Sequence, residues 1–496
     1  LRAIVTQTLR TRRRIGRATR SLAGVCLALA LAGAGTAEAA SLFYISGGGD
    51  GHGIGMSQYG AYGYALHGAN YRWILAHYYQ HTSLGVLRQS PVVRVLLATG
   101  SASFRGASRV GAANKKLNSS SAYSVRPVSG GFLGLYDSRG KKVGTFTAPL
   151  DVSGTGPTDL LGHGLYRGAL EFRPSGGGVQ TVNAVDLEDY VRGVVSAEMP
   201  SGWSMEALKA QAVAARTYAI TSNVSGNGYQ LYPDTRSQMY GGVAAETAST
   251  NSAVAATSRQ VVTYGGRPVT TFFFSSSGGH TEDIQNVWLG STPEPWLVGV
   301  ADPYDNAGGN PDYHWSHNMG IASAAARLGP LVKGRLIGIN ITKRGVSPRV
   351  VSAQVVGTGG KTTVSGPQLQ QIFGLMSTYM SFSTISSSAT NPASGSPTGG
   401  AVAAARDFLT HSGLASSATG VQALVAPSLP WPRLHGSLFP APAHAQVAIQ
   451  RLSGSSWHTV GHAGLSRGGG YSVPVTRSGL YRVAWRGLDG PAITVR

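Results

Sequence analysis

The chain of 496 residues has one cysteine, Cys26. It lies in an apolar run, Leu22 to Gly35, behind a basic head of Arg10, Arg12, Arg13, Arg14, Arg17 and Arg20. Ala37-Glu38-Ala39 then forms a small-x-small cleavage site before Ala40. Residues 1–39 are read as a signal peptide, and Cys26 leaves with it. A retained membrane anchor is the alternative, but the run is short and alanine-rich for a span. The mature chain then has no thiol. That excludes disulfides and cysteine-ligated zinc, so the core alone must stabilise the fold.

Charge is scarce and one-sided. Only 12% of residues are charged, with 41 Lys and Arg against 21 Asp and Glu. Residues 1–39 hold seven Arg and one Glu, which leaves about +14 of the formal +20 on the mature chain. For a secreted basic protein, anionic cell-wall polymers are the natural partner. No aromatic-basic motif of a nucleic-acid reader is present. Glycine is abundant at 69. Such a chain reads as a β-rich α+β protein with many turns, not as a helical bundle.

The pattern divides the mature chain. Short β-rich runs alternate with Gly/Ser turns from Pro91 to Val182. Helices are expected at Tyr71 to Gln80, Leu187 to Ala197 and Met205 to Ser222, with a last one near Gln368 to Phe373. Short strands are expected at Gln260 to Tyr264 and Val269 to Phe274, and a strand pair at Ile337 to Lys343 and Arg349 to Val356. Residues 40–382 form the expected main domain. Residues 383–430 are Ser/Thr/Pro/Gly/Ala-rich and read as a linker, partly helical at 404–409. Residues 431–496 alternate like a small all-β sandwich.

Two stretches carry chemistry. In Leu187 to Pro200, Leu187, Tyr190, Val191, Val194 and Val195 repeat at the helical period. Asp186 can cap that helix and Pro200 stops it. The period puts Glu198 on the same apolar face, at the helix end. Partial desolvation there raises a carboxyl pKa and favours the protonated form that a general acid needs. A surface residue past a helix end is the alternative. The second stretch, Gly51 to Ala61, reads as a loop whose glycines permit close backbone approach. His52, Ser57, Gln58 and Tyr59 offer sugar-binding donors, acceptors and a ring. A plain turn is the alternative; a phosphate loop fails because no Lys-Ser/Thr follows. His77 and His81 have a zinc-compatible spacing, but aromatic neighbours favour packing. A Ser-His hydrolase at Ser277 and His280 is a rival reading, and the two are too close in sequence for a typical triad.

These motifs resemble the stage II sporulation protein D family, the SpoIID/LytB domain. The matching residues are Val185 to Tyr190, Ala197 to Pro200, Trp203, Glu206 to Ala219, Ser237 to Gly242, Ser275 to Thr281 and Asp302 to Asp305, with the Gly51 to Ala61 block. In the more familiar arrangement that block closes the domain; here it opens it, a permuted order. The resemblance implies a secreted lytic transglycosylase that cuts peptidoglycan strands, preferring those without stem peptides, to 1,6-anhydro-muramyl ends. Glu198 matches the catalytic glutamate. Lys209, Arg216, Ser276, Ser277 and His280 match or flank site positions and join His52, Ser57, Gln58 and Tyr59 as expected substrate-binding residues. Arg216 is assigned to substrate oxygens or a supporting carboxylate. The chemistry requires no cofactor; zinc is an alternative that the missing cysteine at 274–277 argues against. Expected partners are glycan strands, anionic wall polymers and a peptidoglycan amidase. The competing functions are a non-catalytic wall binder that enhances such an amidase and an adhesion scaffold built on the sandwich.

Overall fold

A computed structural model describes residues 40–176, 178–222, 224, 228–390 and 431–496. The architecture is α+β, with a β-rich body and a distinct C-terminal all-β region. The expected signal peptide and residues 391–430, with the helix expected at 404–409, lie outside the described residues.

Three hydrophobic cores organise the chain. The first joins two six-stranded sheets, drawn from residues 92–186, to several helices, four of them before residue 222. These are α1 (Gln58–Leu66), α2 (Tyr71–Tyr78), α3 (Leu187–Glu198) and α4 (Met205–Thr221). The side chain of Asp186 accepts a hydrogen bond from Glu188 N and caps α3. Leu187, Tyr190, Val191, Val194 and Val195 are all buried. Helix α4 is nearly as well enclosed, because Ala210, Ala212, Ala214 and Ala215 let its neighbours approach closely.

The second core gathers the three-stranded sheet Leu336–Arg344, Val350–Gly357 and Gly360–Ser365 with the N-terminal strand Ala40–Gly47. The third fills the C-terminal region. Among the described residues no helix is long and apolar enough to cross a membrane.

Three expectations change. The Gly51 to Ala61 block is not all loop: α1 begins at Gln58, capped by the Ser57 side chain. Gly60 and Gly63 lie inside α1, where a Cβ would strike Asp302 and Tyr304. The glycines that disguise this helix are what lets it pack. The extended expectation at Val269 to Phe274 holds as strand only at Phe273–Phe274. The expected linker does not start at 383, because residues 383–390 complete the strand Met380–Thr390. That strand gives Met380 and Phe382 to the second core and Ile385 to the third. It pairs with Ala40–Gly47 on one side and Arg433–Phe439 on the other, so one sheet runs through both cores. Its serines look like linker residues in composition, yet Ser387 is buried against the Tyr471 hydroxyl at 2.6 Å.

Candidate functional site

Glu198 closes α3, one turn beyond the buried Val194 and Val195. Its carboxyl group is partly buried. Met239 N donates to Oε1 at 2.7 Å and Gln58 Nε2 donates to Oε2 at 3.1 Å. Burial pushes the carboxyl pKa above its ordinary value, while those two hydrogen bonds pull it down. The net shift is upward, towards a group that keeps its proton. Tyr190 and Tyr218 lie close enough to feel its charge.

Each partner is placed by its own packing. Gln58 is the first residue of α1. Met239 sits in Ser237 to Gly242, a segment pinned on both sides of it. Gln238 accepts from the Tyr190 hydroxyl (3.0 Å) and donates to Ala215 O (3.3 Å). The Tyr240 hydroxyl donates to Asn183 (2.8 Å), and Gly241 N donates to Gly193 O (3.0 Å). A Cβ on Gly193 would strike the Tyr240 ring. The backbone N–H of Met239 is thereby aimed at Glu198.

An aromatic ledge follows the same helix. Tyr62, one turn beyond Gln58, stacks on Trp203 with ring centroids 4.5 Å apart and planes 6° apart. Tyr59 leans on the same indole at 4.9 Å. Both Tyr59 and Trp203 are partly exposed. Such rings offer apolar faces to sugars.

Other predicted residues are placed elsewhere. Ser57, Ser276 and Ser277 are fully buried. The Asp305 carboxyl accepts from Ser57 Oγ (2.5 Å), Ser276 Oγ (2.7 Å), Ser277 N (3.0 Å), Gly278 N (2.9 Å) and Asn310 Nδ2 (3.2 Å). Asp302 accepts from Ser277 Oγ and the Tyr78 hydroxyl, both at 2.8 Å. Burial, and then the neighbouring Asp305, raise the Asp302 carboxyl to about 7. These serines tie the Gly51 to Ala61 block, α2 and the Ser275 to Thr281 segment into one polar knot. Their expected place on substrate is corrected: enclosed hydroxyls with spent donors cannot reach a ligand.

Of the two expected roles for Arg216, the structure shows the supporting carboxylate, Glu188, and leaves no donor for substrate. Arg216 is 0% exposed, and its guanidinium forms a two-pronged pair with Glu188 at 2.8 and 2.7 Å. Its remaining donors go to Ala212 O, Gln260 O and Val254 O. It is the supporting ion pair between α3 and α4, at the end of α3 away from Glu198. Lys209 pairs with Glu206 at 2.7 Å and lies over the Tyr71 ring. His52 is packed among Phe272, Phe274 and Trp288, and its Nδ1 accepts from Ile54 N (3.0 Å). Burial and then Arg349 lower its pKa to about 3, so it stays neutral. His280 Nδ1 bonds the carbonyl of Thr281 (2.7 Å), while Ser277 bonds Asp302, so the Ser-His pair is not formed. Helix α2 ends at Tyr78 and His81 has a positive φ of 60°, so His77 and His81 do not share a helical face. Among the described residues, no group of three or more His, Cys, Asp or Glu is arranged to hold a metal.

Comparison with known proteins points to the same segment. Residues 175–264, which contain α3, α4 and Met239, match the family model of the stage II sporulation protein, SpoIID. The chain is 31% identical over 215 residues to stage II sporulation protein D of Bacillus subtilis, covering 40% of this chain and 60% of that protein. It is 43% identical over 116 residues to the amidase enhancer of Bacillus subtilis, covering 23% of this chain and 15% of that protein. An uncharacterised protein of Brachyspira hyodysenteriae is 41% identical over 145 residues, which are 29% of this chain and 39% of that one. The chain spans less than two thirds of the length of each of these relatives. Over these segments the chain is similar to stage II sporulation protein D and to the amidase enhancer.

Proposed function

We propose that this protein is a peptidoglycan lytic transglycosylase, secreted to the cell wall, with Glu198 as its single acid and base. The observation that carries this reading is the Glu198 carboxyl itself: desolvated towards its protonated form and held by Met239 N and by Gln58, whose helix also carries the aromatic ledge. Protonated Glu198 gives its proton to the glycosidic oxygen leaving C1 of N-acetylmuramic acid. The resulting carboxylate then takes the proton of the C6 hydroxyl as O6 bonds to C1. The C1–O4 bond breaks, the C1–O6 bond forms, and Glu198 ends protonated. No water is activated, so the usual second carboxylate of a glycosidase is unnecessary. The two donors stabilise the charged state that exists between the proton transfers.

The test uses mature protein and glycan strands stripped of stem peptides. Mass spectrometry should find 1,6-anhydro-muramyl ends with wild type and a loss of roughly 100- to 10,000-fold with Glu198→Gln. Equal yields from both would remove Glu198 from the chemistry.

The likeness to an amidase enhancer favours a second reading, a non-catalytic wall binder that acts through a peptidoglycan amidase. Glycan binding with no anhydro ends from either protein would select it.

A further inference from the structure

The C-terminal region carries a different set of groups. Residues 431–496 hold seven Arg, no Lys, no Glu and one Asp. That aspartate, Asp489, is paired with Arg482 at 2.7 Å. The region therefore presents almost pure positive charge.

Part of that charge borders a groove of about 530 Å³. It opens between the strands Ser456–Gly464 and Gly470–Pro474, each the edge of a different sheet. Ile449, Val473 and Tyr481 make an apolar floor, and Arg451, His462 and Arg477 stand along it. Arg451 is fixed by donating from Nη2 to Ser478 O at 3.1 Å, and its Nε has no protein partner. Arg477 and His462 are exposed. No Asp or Glu lines the groove.

Two free strand edges could also recruit a peptide strand. Both edges are blunted here. Pro474 has no N–H to give. The other strand is out of regular register with its neighbour between Ile449 and Gln450. Recognition is left to the side chains: cations spaced over an apolar floor. That pattern complements a polymer in which charged phosphodiesters alternate with short CH₂-bearing units, because guanidinium forks match phosphate oxygens and the floor accepts the carbons.

We propose that this groove binds a phosphodiester wall polymer and anchors the protein beside the glycan. The proposal rests on the wall location argued above, but not on the chemistry of Glu198. Holding a polymer attached to the same wall would raise the effective concentration of glycan at Glu198 without any new contact there.

The experiment is calorimetric titration of the mature full chain at 150 mM salt, near the physiological ionic strength. The probes are poly(glycerol phosphate), polyglutamate of matched charge, and a neutral chitin oligomer. Poly(glycerol phosphate) should bind tightest. Arg477→Glu should weaken it at least about tenfold. Arg139→Glu, the same charge change at an exposed turn outside the groove, should leave it nearly unchanged, and Glu198→Gln should bind normally. Equal losses in the two Arg variants would overturn the groove in favour of general charge attraction. Equal affinity for polyglutamate would overturn the assignment to phosphate. Polymer binding by a wild-type protein that yields no anhydro ends would defeat the glycan-cleaving reading alone.

Discussion

Two carboxyl-centred regions of this protein look alike in the sequence and differ in space. Around Asp302 and Asp305 the side chains are fully enclosed, and Asp305 alone accepts five hydrogen bonds. Glu198 has two donors and sits at a helix end, and one of those donors, Gln58, precedes the partly exposed Tyr59 in the chain. Both regions are dense in motif residues. One is saturated from within and can only hold the fold. The other is a carboxyl with two donors whose pKa burial pushes upward. Saturation, rather than motif density, separates the architectural cluster from the proposed acid.

That contrast can be broken by substitution. Asp305→Ala should have the largest effect on stability, roughly 3–5 kcal/mol in chemical denaturation, because it strands buried donors without an acceptor. Glu198→Gln should instead melt close to wild type while losing its product, and a large stability loss there would erase the distinction. Next in size is Trp203→Ala. Without the indole under Tyr59 and Tyr62, KM for stripped glycan should rise about tenfold with kcat little changed. A matching fall in kcat would mean that the ledge shapes Glu198 itself.

Smaller effects sharpen the comparison through pH. Gln58→Leu removes a donor that favours the Glu198 carboxylate. The acid form then persists to higher pH, so the alkaline limb of the pH-rate profile should move up; an unmoved limb would show that Gln58 does not tune the acid. At Asp302, burial and Asp305 raise the folded pKa to about 7 against an ordinary value near 4. Between those values the folded state binds more protons than the unfolded one. Its contribution to stability is complete below about pH 4 and is lost as pH rises through about 7. Asp302→Asn cannot ionise and should show a shallower fall in melting temperature over that window.

Helices were legible where the local pattern was strong. Helix α3 combines a capping aspartate, an apolar stripe and a stop, all read within fifteen residues. Helix α1 was hidden because its glycines lower helix propensity, although Gly60 and Gly63 are needed for its contacts. Recognising it would have placed Tyr62 one turn from Gln58 and drawn attention to the ledge. The strand at 383–390 was hidden by serine and threonine, which composition assigns to linkers and burial turns into sheet. Arg216 was singled out correctly as unusual among alanines, but charge alone could not say whether it served a ligand or Glu188.

The sequence by itself determined the α+β class, helices α3 and α4, and the position of Glu198 on an apolar face. Those follow from local periodicity, capping and the cost of burying charge. Only the tertiary structure decided what surrounds that carboxyl. Gln58 comes from 140 residues away and Met239 from 41, and Ser57 leaves the site for an aspartate 248 residues distant. Convergence of donors over such separations depends on how whole elements pack, and no local pattern encodes it.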